Sequence, residues 1–266
     1  MKKILSIALV AAMALTSVFA FTACTKKVDN SKDMEYVKEK GVLVVGITDF
    51  APMDYKDAAG QWIGFDADMA KAFAESLGVK VEFVEIDWDN KIMELDNKSI
   101  DVVWNGMTLT DEVKEGMETS NAYCDNAQVV IVNSSVAETY KTAKACKKLN
   151  FAVEAGSAGA AAAKDKGFKY VEVQTQAAAV MEVAAGTADA CIIDSLMAAA
   201  MVGEGTSYPQ LTYTVSLTSE QYGAGFRKGS NLAAALNDFF KSSYADGTMQ
   251  AIAAVYGVQA ALIEQK

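Results

Sequence analysis

Residues 100–112 show the clearest pattern for binding chemistry in the chain. An apolar run rich in β-branched residues predicts a buried strand, and Asn105-Gly106 ends it. The hydroxyl of Thr108 follows, and an acidic, helix-compatible segment begins at Asp111. Small ligands bind at the carboxyl ends of strands in open α/β sheets, so backbone N–H groups, an amide and hydroxyls at this point indicate a site for a small polar molecule.

Several classes of function are excluded by residue types that the chain lacks. None of the 266 residues is histidine, which excludes Ser-His-Asp and Cys-His catalysis and most zinc sites. The chain holds one arginine, Arg227. A formal net charge of −10 argues against binding nucleic acid or anionic lipid through charge. We therefore predict no catalytic residue, no metal site and no cofactor.

The N-terminus is typical of an exported lipoprotein. Two lysines precede an apolar run, 4–21, which ends at a lipobox-like segment before Cys24. We expect a signal peptide at 1–23, acylation of Cys24 and a flexible tether at 24–35, which would hold the protein on the extracytoplasmic face of the membrane. A plain secretory signal followed by an incidental cysteine is the alternative.

Three further cysteines, Cys124, Cys146 and Cys191, are not spaced as metal ligands. They are interpreted first as small buried residues, and one disulfide bond remains open.

The chain contains two successive units with the same order of elements. Each has a strand, a loop of small residues, a helix, a second strand, a second helix and a third strand with a polar end, over 41–112 and 151–194. A four-residue apolar period from Phe65 to Leu77 predicts a helix that Gly78 ends. A strand at 221–226 and helices at 232–244 and 248–256 complete the prediction. Alternating strands and helices predict an α/β fold with parallel strands and right-handed crossovers.

These segments together resemble the amino-acid-binding branch of the bacterial extracellular solute-binding proteins (family 3), which serve ATP-driven (ABC) importers. The resemblance covers about Glu39 to Tyr256 and rests on seven motifs in the same order. They are Gly41–Ile47 with Phe50-x-Pro52, Gly64–Ala70, Trp88 before a helix, Gly106–Glu112, Gly156-Ser157, Gly186-x-x-Asp189-Ala190-x-x-x-Asp194, and Gln221-Tyr222-Gly223 to Ser230.

The resemblance implies a two-lobed periplasmic-binding-protein-like fold of type II. Each lobe would be a mostly parallel sheet flanked by helices, and two strands would form the hinge. Lobe 1 would contain 36–122 and 223–266, lobe 2 would contain 128–217, and the hinges would lie at 123–127 and 218–222. Ligand bound between the lobes would hold them closed.

The resemblance also implies seven substrate-binding residues: Phe50, Trp104, Asn105, Gly106, Thr108, Ser157 and Asp194. Phe50 and Trp104 would form aromatic walls, and Asp194 would accept from the ligand's ammonium group. The Gly106 backbone and the Thr108 hydroxyl would bind its other polar end. Ser157, at the start of a helix in the second lobe, would donate from across the cleft.

One position departs from the family pattern. The arginine that usually follows Thr-x-Thr-Asp-Glu and grips an α-carboxylate is Val113 here. Arg227 is predicted to lie in a surface turn and to be unable to replace it. Either backbone N–H groups, Thr108 and Asn105 hold the carboxylate, or the ligand is a cationic amine that lacks one.

The expected function is therefore the lipid-anchored binding component of an amino-acid ABC importer. Its partners would be a small solute and the permease, with the membrane reached through the lipid and the protein acting as a monomer. A secreted dehydratase-like enzyme on the same scaffold is a second hypothesis, in which Glu154 and Asp194 would supply the acid and base. A sensory domain is less favoured because no second membrane-spanning or signalling segment follows.

Overall fold

The computed structural model describes residues 29–266. The predicted signal peptide and Cys24 lie outside these residues. No helix within the described range is long and apolar enough to cross a lipid bilayer.

The strands alternate with helices along most of the described chain. The strands are β1 (Val42–Ile47), β2 (Tyr55–Lys56), β3 (Trp62–Ile63), β4 (Lys80–Glu85), β5 (Val102–Thr108), β6 (Met117–Thr119), β7 (Cys124–Asn126), β8 (Gln128–Asn133), β9 (Asn150–Glu154), β10 (Lys169–Val173), β11 (Ala190–Asp194), β12 (Leu211–Ser216) and β13 (Glu220–Arg227). The helices are α1 (Asp33–Lys40), α2 (Phe65–Leu77), α3 (Lys91–Asp96), α4 (Asp111–Gly116), α5 (Ala143–Cys146), α6 (Ala158–Lys166), α7 (Gln176–Ala185), α8 (Ser195–Met201), α9 (Leu232–Ala245) and α10 (Thr248–Tyr256).

Two mixed sheets form the cores of two lobes. The larger has the order β4-β1-β5-β13-β6, with β7 also paired to β13, and the smaller has the order β10-β9-β11-β8-β12. Pairing is parallel among β4, β1 and β5 and among β10, β9 and β11, whereas β13 and β8 run antiparallel to their neighbours. The chain passes between the sheets twice, from β7 to β8 and from β12 to β13.

The apolar periods of the sequence become the faces that bury the helices. In α2, Phe65, Met69 and Phe73 are buried on one face, and Gly78 ends the helix in the left-handed conformation with φ of 75°. The same left-handed glycine ends α6 at Gly167 and α7 at Gly186. Helix lengths in both lobes therefore follow from local sequence.

Strand β12 (Leu211–Ser216) was not predicted from the sequence. It pairs only with β8 at the edge of the smaller sheet, and Tyr213 within it is 62% exposed. An edge strand that buries few side chains has no strong hydrophobic pattern.

The three cysteines of the described chain are buried and unpaired.

Arg227 does not lie in a surface turn, so that prediction was wrong. It ends β13 with 1% of its surface exposed, and its Nε and Nη2 contact the carboxylates of Asp33 at 2.8 Å and Asp101 at 3.1 Å. Its Nη1 also donates to the Ile100 carbonyl at 2.7 Å. These buried ion pairs join α1 to the larger sheet, and they place the guanidinium away from the cleft between the lobes.

Replacing Arg227 with Met should lower the free energy of unfolding by about 3–5 kcal/mol, since it leaves the buried Asp33 carboxylate without its ion pair and leaves Asp101 with Lys40 alone. Lys56→Met is the matched control, because it removes an exposed ion pair with Glu85 and should cost no more than about 1 kcal/mol. Urea unfolding of the two variants provides the measurement. Equal losses would show that Arg227 does not organise this part of the lobe.

Candidate ligand-binding cavity between the lobes

A cavity of about 280 Å³ lies between the two sheets. The larger lobe lines it with the loop after β1, the start of α3, the end of β5 and α4, and the smaller lobe with the end of β9, the starts of α6 and α7 and the end of β11. All of these segments follow the carboxyl ends of parallel strands, which is where α/β sheets bind ligands. The volume suits a ligand of amino-acid size.

Six of the seven residues predicted from the sequence line this cavity: Phe50, Asn105, Gly106, Thr108, Ser157 and Asp194. Trp104 does not, and its expected role as an aromatic wall is not supported. Its side chain is fully buried in the core of the larger lobe, where its ring lies 5.5 Å from Phe240 and 6.3 Å from Phe73. The cavity is lined by the carboxyl-terminal residues of β5, 105–108, and Trp104 precedes them within the sheet, where it packs into the core.

The second aromatic wall of the cavity is Trp88, which the site prediction missed. It begins a short helical turn directly after β4, and that position at a strand's carboxyl end was the signal that could have found it. Phe50 forms the other wall and lies directly on Gly106. Gly106 has φ of +53°, and a Cβ there would approach the Phe50 ring to 2.2 Å, so this strand position requires glycine.

The polar groups of β5 are mostly engaged within the protein. Asn105 accepts from the N–H and hydroxyl of Thr48, at 3.0 and 2.7 Å, and donates to Thr48 O and Asp54. The Gly106 N–H donates to Asp66 at 2.6 Å, and the Thr108 hydroxyl donates to Glu220 at 2.8 Å. The structure therefore gives these donors internal partners, and Asn105 positions the loop that carries Phe50.

Two buried carboxyl groups, Asp54 and Asp66, lie beneath the floor of the cavity, which β5 forms, and neither makes an ion pair within 4.0 Å among residues 29–266. One oxygen of each, Oδ1, has no hydrogen-bond partner among residues 29–266. Burial raises the pKa of Asp66 to about 7, partly offset by its bonds from Tyr123 and Gly106. Burial and then the neighbouring Asp66 charge raise the pKa of Asp54 well above its ordinary value. Ionising both groups together is therefore unfavourable in the folded protein.

The Asp194 carboxylate is a hydrogen-bond acceptor shared by both lobes. Its Oδ1 accepts from Asn126, from Gln128 at 3.0 Å and from the Tyr222 hydroxyl at 2.7 Å, and its Oδ2 accepts from Gln176. Burial, and after it the charge of a nearby carboxylate, raises the pKa of Asp194 to about 7. Its Oδ2 has one internal donor and so retains acceptor capacity.

That nearby carboxylate is Glu220, at the start of β13 where the chain re-enters the larger lobe. Glu220 Oε1 accepts from Thr108, Asn126 and Gln128 at 2.7–2.8 Å. The last two also donate to Asp194. Thr108 of the larger lobe is thus linked to Asp194 of the smaller lobe through the two segments that connect them.

Ser157 caps the helix that starts at the cavity in the smaller lobe. Its hydroxyl oxygen accepts from the Ala160 N–H at 3.1 Å, so its own hydrogen is not used by that contact. The predicted donor therefore has a position from which it can reach the cavity.

Glu154, at the end of β9, also lines the cavity. It is 3% exposed, and its Oε1 has no hydrogen-bond partner among residues 29–266. Burial, with a smaller contribution from the Asp194 charge, raises the pKa of Glu154 to about 8.

Lys91 is the single basic side chain among the described residues that line the cavity. Its ammonium donates to the carbonyls of Trp88 and Gly156, each at 3.1 Å, and therefore bridges the two lobes. Burial lowers the pKa of Lys91. Close to Lys91 the two lobes touch at Gly156 and Asp89, which we call the closing contact. This contact is tight, because a Cβ on Gly156 would lie 2.5 Å from Asp89 Oδ1 and 2.8 Å from its Cα.

The family model of the bacterial extracellular solute-binding proteins, family 3, matches residues 43–259. The L-cystine-binding protein TcyJ of Escherichia coli is 29% identical over 94% of this chain and 91% of its own. The ABC transporter glutamine-binding protein GlnH of Bacillus subtilis is 31% identical over 93% and 94%. The crystal structure of the ancestral amino acid-binding protein AncCDT-1, a precursor of cyclohexadienyl dehydratase, is 33% identical with a TM-score of 0.77, covering 84% of this chain and 99% of its own.

We expect the unliganded protein to lose stability as pH rises from about 4 to 8. The pKa values of Asp66, Asp194 and Glu154 are raised in the folded state, so folded chains bind more protons than unfolded ones in that window. The contribution of these bound protons to the free energy of unfolding is largest below pH 4, near the unfolded-state pKa values. It is lost as the pH rises through the folded-state pKa values of about 7 and 8. Urea unfolding across this range should show a falling midpoint.

The variant Asp54→Asn should reduce that slope, since it removes one of the two coupled carboxyl groups beneath the floor. Glu172→Gln, which removes an exposed carboxylate of β10, should leave it unchanged. A midpoint that stays level or rises with pH in the parent protein would contradict the electrostatic description of the cavity.

Proposed function

Because the chain belongs to the bacterial extracellular solute-binding proteins of family 3, we propose that it is the extracytoplasmic amino-acid-binding component of an ABC importer. The observation that carries this proposal is the cavity between two sheets, lined from both lobes at the carboxyl ends of parallel strands. Its aromatic walls and its buried carboxylates suit a small solute with an ammonium group. Its partner would be the permease of that importer.

We place the hinges of this closing motion at 123–127 and 218–222, between lobe 1 (36–122 and 223–266) and lobe 2 (128–217). Both segments adjoin the two passages of the chain between the sheets. They also carry Asn126 and Glu220, whose hydrogen bonds connect the lobes. Ligand binding on Asp194 would favour the closed arrangement of these segments, since it adds contacts that exist only when both lobes meet.

The polar ends of an amino acid fit two parts of the cavity. Asp194 is the acceptor that we assign to the α-ammonium group. The Ser157 hydroxyl and the Lys91 ammonium are the donors that we assign to the α-carboxylate. Val113 lines the cavity where the family arginine would stand, and Lys91 is the charge within reach of the same space.

A cationic amine without a carboxylate is the second candidate ligand. The favouring observation is the balance of the lining, in which Asp111, Glu112, Glu154 and Asp194 are acidic and Lys91 alone is basic. The dehydratase-like alternative would require turnover of the bound solute, for which the relatives named as binding proteins provide no support.

Acylation at Cys24 would hold the protein on the outer face of the membrane and keep it near its permease. Metabolic labelling with a fatty-acid analogue, compared between the parent chain and Cys24→Ser, tests this anchoring directly. A soluble parent protein without label would contradict it.

Thermal unfolding with a panel of amino acids and their decarboxylated amines tests the ligand class. Ligands that bind only the folded state stabilise it and so raise the melting temperature. The stabilisation is about 2.7 kcal/mol when the free ligand concentration is 100 times Kd. We expect stabilisation by amino acids and little by the matching amines. Stabilisation by amines alone would select the second candidate, and stabilisation by neither would contradict the proposed function.

The closing contact can be tested with two matched glycine substitutions. Gly156 and Gly167 have φ of +64° and +65°, so alanine costs similar backbone strain at both. Only at Gly156 would the new methyl group meet the opposite lobe, at Asp89, whereas nothing lies within 4 Å at Gly167. Gly156→Ala should therefore weaken ligand binding about ten-fold or more, and Gly167→Ala should not.

Calorimetric affinities and small-angle scattering with ligand provide the measurements. The liganded Gly156→Ala variant should remain more open than the parent. Equal affinity and equal compaction in both variants would show that this contact does not govern closure.

A further inference from the structure

The buried ionisable groups of the cavity are two acids and one base. Asp111 and Glu112 are exposed at its edge, whereas Glu154, Asp194 and Lys91 are 3%, 4% and 6% exposed. Were all three ionised, the buried set would hold two negative charges and one positive charge, and burial opposes that state by raising the pKa of Glu154 to about 8. Buried charges are normally paired, because moving an unpaired ion out of water is costly. A ligand with a net positive charge would leave the closed cavity neutral.

The two buried carboxylates differ in how completely the protein satisfies them. Asp194 accepts from four side chains, two of which are Asn126 and Tyr222. Glu154 has one oxygen buried without a partner among residues 29–266. Buried polar atoms almost always have a partner, so an exception at the wall of a cavity indicates a group that is satisfied from within the cavity.

Lys91 does not satisfy Glu154. Its charge lowers the Glu154 pKa, but no ion pair within 4.0 Å joins Lys91 to a carboxylate among the described residues. Its ammonium instead donates to the carbonyls of Trp88 and Gly156. The lysine is therefore held at the junction of the lobes and makes no ion pair with Glu154, whose carboxyl group has only a hydrogen bond from Gln176 within residues 29–266.

The remaining walls are suited to a cation. Phe50 and Trp88 line the same space, and aromatic faces attract ammonium and guanidinium groups. The Lys91 ammonium already lies over the Trp88 ring, 5.1 Å from its centroid, which leaves Phe50 as the aromatic wall without a cation of its own among the described residues. Gln176 lies at the start of α7 and also lines the cavity, where it holds Asp194 through both its amide atoms. A volume of about 280 Å³ admits one solute of amino-acid size, and Glu154 and Asp194 lie at the ends of the neighbouring strands β9 and β11.

We propose that Glu154 is a specificity-determining residue that binds a second cationic group of the ligand, so that the site selects basic amino acids over neutral ones. This inference rests on the proposed function. Asp194 would bind the α-ammonium group and Glu154 the cation at the end of the side chain. A neutral side chain would leave the Glu154 oxygen buried and unpaired, which is the basis of discrimination.

The state of Glu154 before binding fits this role. Since burial raises its pKa to about 8, the side chain keeps its proton at neutral pH until a cation lies beside it. Asp194, Lys91 and Asp87 are the charged groups that act on it from the surrounding elements.

Calorimetric titration with nearly isosteric pairs tests the inference: arginine against citrulline, and lysine against norleucine. The parent protein should bind the basic member of each pair roughly 10- to 100-fold more tightly, the range of a charge-assisted hydrogen bond. Glu154→Gln should lose most of this preference. Glu154→Asp keeps the charge and should retain a basic preference at lower affinity.

Glu172→Gln is the matched control, since it removes an exposed carboxylate of the same lobe that lies outside the cavity lining, and it should change the preference less than about three-fold. Each variant must first show the far-ultraviolet dichroism of the parent. If Glu154→Gln does not fold, the affinities of the parent and of Glu154→Asp for the same ligand pairs still test whether Glu154 sets the basic preference.

Equal affinity for basic and neutral members in the parent protein would overturn the role of Glu154 and leave the proposed function intact. A basic preference that Glu154→Gln retains would overturn the role of Glu154 as well. Failure of every amino acid to bind would instead overturn the proposed function, and this inference with it.

Discussion

The position of the cavity depends on one shared acceptor, the carboxylate of Asp194. This side chain ends β11 in the smaller lobe, yet it accepts from Tyr222 of β13 and Asn126 of β7, which belong to the larger sheet. Glu220 receives two of the same donors and also Thr108. Because the donors come from the segments that connect the lobes, a ligand group placed on Asp194, as we propose, would act directly on the geometry of those segments.

The free-energy cost of burying ionisable groups is greatest around the cavity. Asp54, Asp66, Glu154 and Asp194 are all buried, and burial is the main reason that their pKa values are raised. Elsewhere the protein compensates its buried acids, as Arg227 does for Asp33 and Asp101. The contrast has a functional meaning, since uncompensated carboxylates beside a cavity are favourable only when something positive can approach them.

The sequence was sufficient for the fold because its signals are local. Apolar strands bounded by glycine and helices ended by left-handed glycines, such as Gly78 and Gly186, depend on a few adjacent residues. The chemistry of the site was less predictable because partners lie far apart in the chain. Thr108 meets Glu220 across the hinge, and Arg227 finds Asp33 from the other end of the chain. Trp104 was misplaced for a different reason, namely that only the last residues of β5, 105–108, reach the cavity, and the sequence does not show where along the strand the core ends.

The contact between Gly156 and Asp89 bears on which features of the closed protein a permease could recognise. This contact, and the bond from Lys91 to the Gly156 carbonyl, join protein to protein and include no ligand atom. In the proposed closing motion they would act as a mechanical stop, so the lobes themselves would set the end point of closure, and the solute would decide only how often that end point is reached. Chemically different ligands that permit full closure would then give the closed protein the same outer surface. A permease that recognises this surface would detect that a ligand is bound but would not distinguish one ligand from another.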